Sequence, residues 1–423
     1  VLMWKKTILE NGLRIVTEEV PYVHSAVIGI WVRAGSRNEE DSNHGISHFI
    51  EHLLFKGTTS RTAKQIAEEL ETVGGSINAF TTKEYTCYYA KVLDEHFELA
   101  IDLLADMFFN STFDEEEIDK EKNVIIEEIR MYEDSPDELI HDLFTQLVLQ
   151  KHPLGRTIIG SIDSVNKIAR SDILNYITKY YTPTNTVISV AGNITHNKVT
   201  EKLSNLFGNW QRKPIDIQYV QPAHNSDALI MQKDTEQIQI CMGVPGLSQG
   251  NEDTYVLYVL NNILGGGLSS RLFQEVRENR GLAYSIYSYH TAYKDGGLFT
   301  IYAGTSPSRF EKVIKVIAQE LYKCKKFGIG REEMERTKTQ IKGNLLLGME
   351  SISNRMSRLG RTELCYGRII SAEEIVENTQ KVTIDQVLQL CDSLFQKEKF
   401  SLTALGPIKD TIAFYEILDS TGF

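Results

Sequence analysis

His48 and His52 stand four residues apart in the segment His48-Phe49-Ile50-Glu51-His52, with Glu51 directly before the second imidazole. On a helix, positions i and i+4 lie one above the other, so both rings can reach one cation while Glu51 falls on the adjoining flank. The order His-x-x-Glu-His reverses the His-Glu-x-x-His pattern of helical zinc sites and offers the same chemistry: two nitrogen ligands and a carboxylate that can take a proton from water. Phe49, Ile50, Leu53 and Leu54 are apolar at helical spacing, which predicts a buried helix. Burying two imidazoles and a carboxylate there is costly without a partner, and a metal ion supplies one.

A catalytic zinc takes three protein ligands and keeps one position open, so a third ligand must come from elsewhere in the chain. The acidic stretch Glu115 to Tyr132 is the expected supplier. On a helix, Glu121, Val124, Ile125, Glu128, Ile129 and Tyr132 share one face, whereas Glu127 falls with Lys120, Asn123, Met131 and Asp134 on a wetter one. Glu128 is therefore the expected ligand. Glu121, seven residues earlier on the same face, is placed to orient a ligand or the water.

The elements that must hold these groups are legible as a mixed pattern. Val1 to Val20 reads as two strands around an Asn11-Gly12 turn, and Ala26 to Val32 as an apolar strand. Helical periodicity covers Gly45 to Phe55 and then Ala63 to Val73, where Gly74-Gly75 stops it; strands follow at Ser76 to Phe80 and Thr86 to Val92. Helices are expected at about Asp94 to Phe109, Glu115 to Tyr132 and Asp137 to Leu149.

The polar, proline-containing stretch 213–225 reads as a linker between an N-terminal domain, 1–212, and a C-terminal domain, 226–423. Beyond it the pattern repeats: Ile238 to Gly243 is similar to Ile28 to Val32, and Tyr255 to Gly266 to Ile46 to Gly57. Aligning Gly57 with Gly266 sets His48 against Leu257, Glu51 against Leu260 and His52 against Asn261. The second copy lacks the polar set, so the fold does not require it. The expected class is α+β, with two homologous α/β domains from an internal duplication.

Composition narrows the partners. The 423 residues carry a formal net charge of −12, which argues against nucleic acid, since phosphate binding needs clustered Lys and Arg. No apolar run approaches the roughly 20 residues that span a bilayer, so no membrane is expected. Five dispersed cysteines form no CxxC pair; together with the lack of a visible export signal they favour a reducing, cytoplasmic setting.

With these residues in view, the chain resembles the pitrilysin/insulinase family of zinc peptidases, in its mitochondrial-processing-peptidase-like branch. The resemblance is carried by Asn43 to Thr58 around the His48–His52 helix, by Gly74-Gly75-Ser76-Ile77-Asn78-Ala79, by the Glu121 to Glu128 spacing, and by Gly265 to Phe273 and Arg277 to Tyr284. It implies mainly antiparallel sheets with helices packed on one face and Zn2+ held by His48, His52 and Glu128. Glu51 would be the general base, and Glu121 an additional acidic residue of the site. It further implies that Arg277 and Tyr284 reach an active site from another domain, that Asn78, Ala79 and Phe80 lie on an edge strand to which a peptide adds, and that a chain of this size forms a homodimer. The same fold is similar to that of non-catalytic subunits of processing-peptidase-like complexes, which is the competing reading.

Overall fold

The computed structural model describes residues 4–408 and 413–423, so the first three residues of the expected N-terminal strand lie outside the described residues. One sheet contains β1 (Trp4–Ile8), β2 (Arg14–Glu19), β3 (Ser25–Val32), β4 (Ser76–Thr81), β5 (Thr86–Leu93) and β6 (Thr186–Gly192), in the order β1-β2-β6-β3-β5-β4. A second contains β7 (Ala228–Gln232), β8 (Ile238–Pro245), β9 (Ala283–Tyr293), β10 (Gly296–Thr305) and β11 (Ser401–Gly406), in the order β7-β11-β8-β10-β9. β2 with β6 and β7 with β11 pair in parallel; the other named pairings are antiparallel.

Without β1, the first order reads β2-β6-β3-β5-β4 and matches the second strand for strand, with the parallel pair in the same place. The helices repeat as well. Ile46–Leu53 follows β3 as Thr254–Gly265 follows β8, and the succession Phe97–Asn110, Glu115–Glu133 after β5 is matched by Phe310–Phe327, Arg331–Gly348 after β10. The α+β class and the internal duplication are thus the architecture of the chain.

β3 reads Ser-Ala-Val-Ile-Gly-Ile-Trp-Val, without the alternation of a strand that has one wet face, and all but its first residue are buried. Ala26, Ile28, Ile30 and Val32 face a core that includes Phe49, Ile50 and Leu53. Val27 and Trp31 face a different core, built with Ile352, Met356 and Leu359. These last three belong to the helix Ile352–Tyr366, which comes from the C-terminal half.

The compact units accordingly depart from the halves of the sequence. One comprises Val1–Arg130, Thr157–Gln218 and Leu347–Ile370; the other comprises Met131–Arg156, Tyr219–Leu346 and Ser371–Phe423. The crossing at 218–219 falls inside the expected linker 213–225, but each half lends one helix to the other's sheet. In the second unit the lent helix is Pro136–Leu149, whose Ile140, Phe144 and Val148 pack with Cys241, Leu298, Tyr302 and Leu405. The face expected to lack helices is therefore covered in both sheets. Periodicity shows that a strand is buried on both sides; it does not show which helix does the covering.

The lent helix sits tightly in the first unit. A Cβ on Gly360 would come 2.0 Å from Nε1 of Trp31, which is buried and donates to Ser189 Oγ at 2.8 Å. Gly360→Ala is expected to destabilise the protein by about 1–3 kcal/mol through overpacking. Gly343→Ala, in the helix Arg331–Gly348 with no described residue within 4 Å of the added Cβ, is expected to stabilise by roughly 0.5–1 kcal/mol. Urea unfolding of both variants checks the pair; coincident midpoints would contradict this packing.

Candidate metal centre

The helix Ile46–Leu53 is fixed at its start by two devices. Gly45 has φ +95°, and an added Cβ would lie 2.8 Å from the Ile159 carbonyl oxygen, so only glycine suits the left-handed turn and the close approach. The buried Glu39 carboxylate accepts from the backbone N–H groups of Gly45 (2.8 Å) and Ser47 (2.9 Å), placing negative charge at the positive end of the helix. Phe49, Ile50 and Leu53 bury one side of the helix. His48, Glu51 and His52 remain on the other.

The acidic helix, Glu115–Glu133, brings Glu128 to both imidazoles: its oxygens stand 3.7 Å from His48 Nε2 and 3.6 Å from His52 Nε2. One ligand atom from each of His48, His52 and Glu128 lies within 4.8 Å of the others. Zinc bonds of about 2.0–2.1 Å at a tetrahedral angle would set neighbouring ligand atoms about 3.3 Å apart, so the three residues fit such an ion with a small contraction. The two rings are 4.5 Å apart between centroids, and His48 Nδ1 is buried without a hydrogen-bond partner among the described residues. A pair of imidazoles this close and this dry is suited to share a cation rather than to be protonated together.

Electrostatics point the same way. Burial, and then the neighbouring His52, push His48 down to about 3, so it is neutral and ready to ligate. Burial also opposes charge on His52, but the hydrogen bond to Glu121 and the nearby carboxylates outweigh it and raise His52. Burial raises the Glu51 carboxyl; the Thr81 hydroxyl and His52 pull it back, Glu128 adds to the rise, and the net direction is up. Glu121 is buried, yet hydrogen bonds from His52 and Lys56 hold it below its ordinary value.

Glu121 thus has a defined place. Its Oε1 is 2.8 Å from His52 Nδ1, which leaves Nε2 toward Glu128, and its Oε2 is 2.7 Å from Lys56 Nζ. Lys56 and Thr81, which donates to Glu51 Oε2 at 2.6 Å, are site residues that motif reading passed over. Period-2 alternation from Ile77 and Ala79 would have placed Thr81 on the helix-facing side of β4. Glu127 points away, exposed and paired with Arg130. Of the expected helix face, Val124 is instead 50% exposed and Ile126 is buried in its place, because the buried stripe centres on Ile118, Glu121, Ile125 and Ile129.

The expected peptide edge is β4, which pairs with β5 and ends the sheet order. Phe80 sits in a ring cluster with Trp31 (5.7 Å, edge-on) and Tyr89, whereas Ala79 packs on the opposite core and the Asn78 side chain accepts from the Ala79 N–H. Arg277 and Tyr284 belong to the second unit. The guanidinium lies 4.9 Å from the Phe273 ring centre and 5.3 Å from that of Tyr284, whose side chain is 74% exposed.

Comparison with known proteins gives the site a context. Residues 14–162 match the family model described as Insulinase (Peptidase family M16), and residues 167–341 match the one described as Peptidase M16 inactive domain. The latter span covers the second sheet's β7 to β10, where the polar set is missing. A Bacillus subtilis protein named uncharacterized zinc protease YmxG is 45% identical over 96% of this chain and 98% of its own length. A Streptomyces coelicolor protein named uncharacterized zinc protease SCO5738 is 41% identical over 96% of this chain and 90% of its own. The crystal structure of a protease from Helicobacter pylori shares the fold, with a TM-score of 0.91 at 24% identity over 96% of this chain and all of that one.

Glu121→Gln keeps the size of the side chain but weakens its hold on His52 Nδ1–H. Metal affinity, read by competition with a chromogenic chelator, is expected to fall about 10- to 100-fold. Unchanged affinity would show that Glu121 does not orient the ligand.

Proposed function

The chain belongs to the insulinase family, peptidase family M16, and we propose that it is a zinc-dependent endopeptidase acting on unfolded peptides and short polypeptides. The observation that carries this reading is the convergence of His48, His52 and Glu128 on one point, with Glu51 on the same short helix as the two imidazoles. The names of the relatives favour zinc among divalent ions, and two nitrogens with one carboxylate oxygen are a donor set that zinc accepts readily. When bound, zinc lowers the pKa of a coordinated water and polarises a carbonyl.

This chain's residues do the rest. Glu51 takes the proton of the attacking water and later delivers it to the leaving amine; its raised proton affinity brings it nearer to the operating pH than an ordinary carboxylate. Glu121 holds His52 in the tautomer that presents Nε2 to the metal. The exposed edge of β4 offers main-chain hydrogen bonds to an extended peptide, which gives affinity with modest sequence preference and requires the substrate to be unfolded locally. Arg277 and Tyr284 are donors suited to a developing oxyanion, and their placement in the second unit fits a homodimer in which one copy completes the site of the other.

Glu51→Gln is expected to keep its zinc and lose activity on a quenched fluorescent peptide by about 10²- to 10⁴-fold. An active, zinc-loaded variant would remove Glu51 from the mechanism. The dimer has its own test, mixing of Glu51→Gln with Arg277→Ala chains. Each homodimer is inactive, but half of the sites in a mixed dimer are intact, so equimolar mixing should restore about a quarter of wild-type activity after subunit exchange. No recovery in a mixture shown to contain mixed dimers would contradict completion across copies.

A further inference from the structure

β4 does more than offer an edge. Its side chains alternate between two cores: Ile77 and Ala79 pack on the side of the helix Ile46–Leu53, while Phe80 packs on the side of Trp31. Thr81, the last residue of the strand, falls on the helix side, and its Oγ1 meets Glu51 Oε2 at 2.6 Å. Among the described residues its other polar neighbour is Thr86 Oγ1, directly across the strand pair at 3.4 Å. Thr86 donates its own proton to the Ala34 carbonyl at 2.9 Å. The Thr81 proton therefore goes to Glu51, the nearer and more strongly accepting oxygen.

The strand end is itself held. The Thr82 N–H bonds the Tyr85 carbonyl (2.8 Å), the Thr82 hydroxyl donates to that same carbonyl, and the backbone of Tyr85 returns a bond to the Thr82 hydroxyl (3.0 Å). Phe80 on one side of Thr81 is locked among Trp31, Tyr85 and Tyr89. A glutamate has three side-chain torsions, and its terminal carboxylate turns freely unless something grips it. Thr81 is a grip built on a rigid sheet.

Resting on the peptidase reading, we propose that Thr81 is a positioning residue: its hydroxyl fixes Glu51 by one carboxylate oxygen, Oε2, and leaves Oε1 to receive the proton of the attacking water. The same bond keeps Oε1 in place for the return of that proton to the leaving amine. It also couples the edge that receives the peptide backbone to the group that acts on the scissile bond, two residues beyond Ala79.

Thr81→Val removes the hydroxyl with little change of shape, and Thr81→Ser keeps it. In the zinc-loaded chains, the Val variant is expected to lose about 10- to 100-fold in kcat, with KM, zinc content and thermal midpoint near wild type, and the Ser variant to recover most of the loss. Wild-type kcat in the Val variant, a loss confined to KM, or no recovery with Ser would overturn the proposal. Crystal structures of the wild-type and Val chains give a readout independent of turnover: the Glu51 carboxylate should leave its position when the hydroxyl is removed, and an unmoved carboxylate would overturn the proposal as well. Should the wild-type chain cleave no peptide, the peptidase reading fails, and the crystal comparison still decides the role of Thr81.

Discussion

Two imidazoles on adjacent turns of a buried helix cannot both give up water and both carry charge, and much of the first unit is arranged around that constraint. His48 is driven to the neutral form, and its Nδ1 is left without a partner among the described residues. His52 escapes the same fate because the buried Glu121 carboxylate takes its Nδ1–H, and Glu121 is in turn made tolerable by Lys56. Glu128 then faces both Nε2 atoms from a second helix. An apolar core alone gives no reason for this set, since desolvating it costs several kcal/mol unless a cation collects the lone pairs.

The fold supplies the stiffness such a set needs. The helix that carries His48 and His52 is only eight residues long, too short to hold itself in place, and is pinned by the Gly45 turn, the Glu39 carboxylate and a face of Phe49, Ile50 and Leu53. Beneath it lies a sheet covered on both faces, with Trp31 wedged against Gly360 of the helix lent by the other half. The same frame recurs in the second unit with Leu257, Leu260 and Asn261 at the equivalent helix positions. One copy of the duplicated fold carries the polar set; the other retains the architecture without it.

Much of this was legible in the sequence because the signals were local. Apolar spacing placed the helix Ile46–Leu53, the Gly74-Gly75 stop placed the end of the next one, and face arithmetic separated Glu128 from Glu127. What was not legible depended on tertiary contacts. The exchange of Pro136–Leu149 and Ile352–Tyr366 leaves no mark in periodicity, because a helix that covers a foreign sheet has the same apolar stripe as one that covers its own. Lys56 and Thr81 escaped for a related reason: each pairs with a carboxylate that is distant in sequence, and the alternation that puts Thr81 on the helix side of β4 does not name its partner. Val124 was misplaced because the helix buries Ile126 instead, a rotation of the stripe that only the packing partner fixes.

Peptide hydrolysis is proposed to depend on one zinc ion held by His48, His52 and Glu128. The most direct measurement is metal content by mass spectrometry of wild-type and His52→Ala chains, alongside cleavage of an unstructured peptide before chelation, after it, and after zinc is restored. The expected result is about one zinc per wild-type chain, strongly reduced zinc in the variant, and cleavage that is lost with the metal and returns with it. Cleavage that survives complete removal of zinc, or equal zinc in both chains, would contradict it.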